Sequence, residues 1–185
     1  VVSGREHLED HRPCVFVFNH QSKLDVPVLI HLLQHDFTGV AKKEVRTVPV
    51  MGQIFDIAGM VFIDRGDAAK ARQQLEPAVQ KLREEGVSLV LAPEGTRSST
   101  PRLGPFKKGA FHIAMQAEVP IVPIVMRNCG EIMAAHSMVI HAGTVDVAVL
   151  PPVPTDDWTK ENLDERITEV RQMYLDTLED WPSDR

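Results

Sequence analysis

The chain has 185 residues and a mass of 20.6 kDa, with 43% hydrophobic and 25% charged residues. Those fractions are those of a globular domain and exclude a disordered, collagenous or coiled-coil chain; a chain this long buries roughly 70% of its unfolded surface, so one core needs neither disulfide nor metal. The net charge of −6 belongs to residues 151–185, which hold ten acids and four bases, while residues 1–150 hold sixteen of each and lack the basic surface that non-specific nucleic-acid binding requires.

Short apolar runs alternate with helix-like stretches, the pattern of an α/β domain. Cys14 to Phe18 reads as a first strand between Pro13 and Asn19, followed by a helix over about 24–33 and a short strand over 37–41. Residues 49–58 are apolar and predicted helical, and Met60 to Ile63 is a strand. Over 67–85, Ala68, Ala71, Leu75, Ala78, Val79 and Leu82 recur at helical spacing. Asp67 suits an N-cap and Gly86 a C-cap, with a kink or irregular turn at Pro77. Ser88 to Leu91 is a buried strand, and the Gly, Pro and Ser content of 92–109 makes that stretch a loop.

A helix over about 110–116 and strands over 121–126 and 145–150 complete the sheet. A helix over about 160–178 presents Leu163, Ile167, Val170, Tyr174 and Leu178 inward. The expectation is one domain over 1–185: a mixed, mostly parallel sheet flanked by helices, with its core in about 12–150 and an acidic C-terminal helix. In such sheets ligands bind beyond the carboxyl ends of strands.

Three such ends carry chemistry. In Asn19-His20-Gln21-Ser22-Lys23-Leu24-Asp25, His20 follows the first strand. Five residues on a continuous helix put side chains about 140° apart, so His20 and Asp25 meet only if His20 precedes the helix and Asp25 stands in its first turn. Ser22 suits the N-cap such a start needs. A His–carboxylate pair fixes the imidazole tautomer and leaves the other nitrogen free to act as a base. The alternative is structural, with Asp25 closing a capping box with Ser22. Arg65 leaves a second strand after Asp64, and Pro93-Glu94-Gly95-Thr96-Arg97-Ser98 leaves a third. Turn amides, hydroxyls and a guanidinium fork suit a phosphate, and Lys107 and Lys108 add charge beside a helix opening at Gly109. The alternative is that Arg65 and Arg97 pair with local carboxylates and order their loops.

Other features carry less. Val48 to Ile63 could face lipid or an acyl chain, but core packing is favoured because the run leads into a strand. The remaining histidines are too scattered for a metal site. Cys14 reads as a buried small hydrophobe and Cys129 as a loop residue. No apolar run reaches the roughly 18 residues that span a bilayer. A chain opening at Val1 reads as a fragment.

These blocks, with Gly59-Met60-Val61-Phe62-Ile63-Asp64-Arg65 and Val119-Pro120-Ile121-Val122-Pro123-Ile124, stand in one order over about residues 1–150. In that order they resemble the glycerolipid acyltransferase family, of the 1-acylglycerol-3-phosphate acyltransferase type. The resemblance implies acyl transfer from an acyl-CoA or acyl-carrier protein to the free hydroxyl of lysophosphatidate. His20 would be the general base and Asp25 its orienting partner. Arg65, Glu94, Gly95, Thr96 and Arg97 would bind the acceptor's glycerol phosphate, and the Pro120 block would shape the site. The thioester is a co-substrate; no cofactor or metal is implied. The partner surface would be the cytoplasmic face of a membrane, bound peripherally or through an anchor preceding this segment; a fused domain outside the chain is compatible with the family. Glycerol 3-phosphate or a larger lysophospholipid as acceptor, and a non-catalytic lipid-binding module, stay open.

Overall fold

A computed structural model describes residues 1–49, 51–57, 59–64, 75–97 and 102–182. The strands are β1 (Val2–Ser3), β2 (Val15–Phe18), β3 (Phe37–Lys42), β4 (Val61–Ile63), β5 (Ser88–Leu91), β6 (Ile121–Arg127) and β7 (Asp146–Val149). The helices are α1 (Asp25–Leu33), α2 (Met51–Ile57), α3 (Glu76–Glu84), α4 (Gly109–Ala117), α5 (Cys129–Ile132) and α6 (Leu163–Glu179). The strands form one seven-stranded sheet in the order β1-β7-β6-β2-β5-β3-β4, parallel throughout except between β6 and β7.

The central strands are apolar on both faces because both faces are covered. Along β2, Val15 and Val17 join a core built with α3, α4 and α6, while Phe16 and Phe18 pack against Leu29, Leu32 and Leu33 of α1. Period-two alternation therefore divides the strand between two apolar layers. β6 divides likewise, with Ile121 and Val125 on one layer and Val122, Ile124 and Met126 on the other.

Two local expectations change. Leu75 lies in a turn and α3 begins at Glu76, so Pro77 stands in a first turn, where its missing N–H costs no helical bond. Asp67 lies outside the described residues. Gly86 follows the end of α3 with a left-handed φ of 66°, as its place after the helix predicts. Cys129 opens the short helix α5 rather than lying in a loop, and is fully buried. Among the described residues no helix is long and apolar enough to cross a membrane.

Candidate active site

Parallel pairing aligns the ends of β2, β3, β5 and β6, and the segments that leave them meet over one edge of the sheet. Asn19 continues the β2–β6 ladder with its side chain: its Nδ2–H donates to the Met126 carbonyl at 2.8 Å, and its Oδ1 accepts the Met126 N–H at 2.7 Å. Asn19 is fully buried, so this two-point clamp sets where the chain leaves the sheet.

His20 comes next, and its Nδ1 lies 2.7 Å from Asp25 Oδ2. A carboxylate only accepts, so Nδ1 carries the hydrogen, and in the neutral imidazole Nε2 keeps its lone pair. The pair forms because His20 precedes α1 and Asp25 is the helix's first residue. Asp25 Oδ2 also accepts the N–H groups of Gln21 at 2.7 Å and Ser22 at 2.9 Å. One oxygen thus orients the imidazole and holds the turn before the helix, while the capping box with Ser22 does not form, since no side chain caps α1. Ser22 does not cap the helix. It lies too far upstream, since Leu24 occupies the N-cap. Ser22 Oγ accepts the Leu24 N–H at 3.1 Å and donates to the Met133 carbonyl at 2.6 Å. The Phe18 ring meets the imidazole edge-on, 5.4 Å between centroids.

Asp25 is fully buried while the His20 side chain is 21% exposed, so the pair presents only its imidazole to solvent. Behind it, burial and then the negative charge of Asp25 push the Cys129 thiol up, which keeps that sulfur neutral beside the carboxylate.

The loop after β5 supplies the second wall. Gly95 has a left-handed φ of 76°, and a Cβ there would lie 2.9 Å from Lys107 Nζ. The bare backbone therefore lets the Lys107 side chain lie over the turn. Arg97 Nη1 donates to the Ala135 carbonyl at 3.2 Å, which steadies the guanidinium without neutralising it. Thr96 is exposed. Glu94 is buried, and both of its oxygens are taken by backbone: Oε1 accepts the His20 N–H at 3.0 Å and Oε2 the Gly104 N–H at 2.8 Å. Lys108 turns elsewhere, with Nζ 2.7 Å from Asp164 Oδ1 on α6. Arg65 lies outside the described residues.

His20, Thr96 and Arg97 line a cleft of about 570 Å³ whose other walls are mostly apolar. It extends along β3, where a Cβ on Gly39 would approach Met60 Cε to 2.6 Å. Phe55 and Met60, expected to be core, line this cleft instead. β3 and β4 end the sheet order, and the cleft runs beside β3. The sequence reading passed over Asn19 and Gly104 as structural parts of the site, and gave Ser22 a helix cap in place of its bond to the Met133 carbonyl. Asn19 and Ser22 stood inside a quoted block, whereas nothing in the composition of residues 92–109 singles out Gly104.

The site thus combines an oriented imidazole, a cationic loop and an apolar cleft. The family described as "Acyltransferase" matches residues 1–127. A 1-acyl-sn-glycerol-3-phosphate acyltransferase of Limnanthes alba is 35% identical over 177 residues, covering 96% of this chain and 62% of the relative. The alpha form of that enzyme from Homo sapiens is 35% identical over 183 residues, covering 99% and 65%. The crystal structure of the 1-acyl-sn-glycerophosphate acyltransferase PlsC from Thermotoga maritima superposes with a TM-score of 0.81 at 27% identity, covering all of this chain and 73% of that one. The chain therefore spans less than two thirds of the length of these curated relatives.

Proposed function

The chain belongs to the acyltransferase family, and on that premise we propose that it transfers a fatty acyl group from an acyl thioester to the free hydroxyl of 1-acylglycerol 3-phosphate. The observation that carries this reading is the 2.7 Å contact of His20 Nδ1 with Asp25 Oδ2, which leaves Nε2 as a base in a cleft shared with Arg97. The acceptor's hydroxyl gives its proton to Nε2 as its oxygen attacks the thioester carbonyl. The new C–O bond forms, the C–S bond breaks, and the electron pair leaves on sulfur, which takes up a proton. General-base assistance of this kind is worth about 10²- to 10⁴-fold. A thiolate leaves readily because a thiol's pKa is only about 8.5, so the reaction needs no strong acid.

Arg97 and Lys107 would receive the acceptor's phosphate. An Arg fork offers two parallel hydrogen bonds, and Lys107 adds a point charge over the Gly95 turn. Lys108 falls out of this assignment because Asp164 holds it. Glu94 serves the site by fixing the His20 backbone, not by meeting a phosphate that its own charge would repel. The apolar reach of the cleft past Met60 suits a fatty acyl chain. CoA and a carrier protein would present the same thioester to it.

The test is thiol release from acyl-CoA with and without lysophosphatidate. Wild type should release thiol only with the acceptor, and His20→Ala should lose about 10²-fold or more while keeping its fold. Near-wild-type turnover by His20→Ala would remove the proposed base. A panel with glycerol 3-phosphate and larger lysophospholipids fixes the acceptor.

A further inference from the structure

The His20–Asp25 pair contains one atom that its polar neighbours leave out. Asp25 is fully buried, and its Oδ2 takes the His20 Nδ1–H and the N–H groups of Gln21 and Ser22. Its Oδ1 is buried too, yet no nitrogen or oxygen donor reaches it. A buried carboxylate oxygen without a donor is costly. The nearby side chains are already committed: Ser22 gives its hydroxyl hydrogen to the Met133 carbonyl, and Asn19 gives an amide hydrogen to the Met126 carbonyl. We propose that Cys129 is a positioning residue for the reaction, its S–H donating to Asp25 Oδ1 and moderating the carboxylate's pull on the His20 imidazole. The inference rests on the reading above of His20 as the base.

The fold brings this thiol to the carboxylate from a distant part of the chain. Asn19 clamps Met126 at the end of β6, and α5 opens just beyond, at Cys129. The Met133 N–H donates to the Cys129 carbonyl at 3.0 Å, while the Met133 carbonyl receives Ser22. A Cβ on Gly130 would lie 3.8 Å from Gln21 Cβ. The start of α5 therefore packs on the turn that Asp25 holds together. Cys129 is fully buried and shares an apolar layer with Phe18 and Leu29. Its thiol feels both the Asp25 charge and a hydrogen bond to the Asp25 side chain. Burial and that charge keep the sulfur protonated, so the hydrogen is there to be donated.

A thiol suits this position because it donates without adding charge. When Nε2 takes the acceptor's proton, the pair becomes an imidazolium beside a carboxylate, and the carboxylate favours that state. A donor on Oδ1 draws electron density from the carboxylate and weakens that preference, the more so in surroundings of low dielectric constant. Return of the proton from Nε2 to the departing sulfur is then easier. The other charges around the imidazole are Glu94 and Arg97 from the loop after β5, Lys107 over its turn, and Lys42 at the end of β3. Lys23 turns to the Ser137 carbonyl. A substitution at Cys129 leaves each of these in place.

The experiment follows the His20 Nδ1–H proton by NMR, assigned through its loss in His20→Ala, together with the pH profile of kcat/KM. Cys129→Ala and Cys129→Val both remove the donor, and valine also fills the space. In both, the freed carboxylate should tighten its bond to Nδ1, move that proton downfield of wild type and raise the acidic limb of the profile by about half a pH unit. Cys129→Ser keeps a donor and should hold both readouts closer to wild type than alanine does. A cysteine that merely filled space would leave the proton unmoved in the alanine and valine variants, and that result would overturn the proposal. So would a serine variant shifted as far as the alanine one. Absence of thiol release by wild type with any acceptor would defeat the functional reading, while the proton would still decide the role of Cys129.

Discussion

Glu94 sits in the loop that would receive a phosphate, yet neither of its oxygens is available to solvent chemistry. One holds the His20 N–H and the other the Gly104 N–H. A Cβ on Gly104 would come within 2.9 Å of Glu94 Oε2, so that approach requires glycine. Glutamine cannot replace this carboxylate, because its NH₂ would face one of two N–H donors. Leaving a buried donor unpaired costs about 1–3 kcal/mol. Glu94→Gln should therefore melt at lower temperature and lose turnover, since displacing a catalytic group by about 1 Å can cost about 10²-fold. Calorimetry and thiol release check both. If Glu94 instead bound the acceptor, the neutral amide would leave stability unchanged and raise the acceptor's KM.

α6 shows how an acidic helix outside the matched family region serves the site. Its inner face is the one its spacing predicts: Leu163, Ile167, Val170 and Tyr174 are buried against the sheet. Tyr174 donates its hydroxyl to the Val17 carbonyl of β2 at 2.6 Å, and burial holds that phenol well above its ordinary pKa. From the same helix Arg171 donates Nε–H to the Gly104 carbonyl and Nη2–H to the Leu103 carbonyl, each at 3.0 Å. Gly104 in turn engages Glu94, which holds His20. Arg171→Ala should lower stability by about 1.5–3 kcal/mol, the worth of hydrogen bonding from a charged group. Turnover should fall more than acceptor KM rises, because the loop that positions His20 loosens while the acceptor's own contacts remain. Arg171→Lys should recover only part, since an ammonium lacks the rigid planar fork that presents Nε–H and Nη2–H to the two carbonyls. Urea titration and steady-state kinetics separate these outcomes.

At the scale of the whole molecule, the two buried thiols make stability depend on alkaline pH. Burial pushes Cys14 up from 9.0 to about 12, and Cys129 is also raised. Unfolded thiols ionise as pH passes 9.0 while the folded ones stay protonated, so the folded state then binds more protons. Their contribution is complete below pH 9 and declines as pH rises toward 12. Urea midpoints should therefore fall above pH 9, and Cys14→Ala should flatten that slope. Neither thiol should react with an alkylating reagent at neutral pH without denaturant, because the thiolate is the nucleophile and both sulfurs are buried.

Much of this protein was legible along the chain. Period-two and period-3.6 patterns record which faces are buried, so the strand ends, the inner face of α6 and the α/β class follow from local spacing. The meeting of His20 and Asp25 was legible as a condition, that the helix start between them, because both residues belong to one short segment. Other contacts had no local signature. Glu94 reaching His20, Arg171 reaching Gly104 and Lys108 turning to Asp164 each join residues far apart in sequence, and a carboxylate in a polar loop looks the same whether it faces a phosphate or a backbone amide. The apolar run through α2 likewise could not declare itself core or cleft wall. Burial is a property of what covers a residue, and the covering elements are chosen only when the sheet order brings them together.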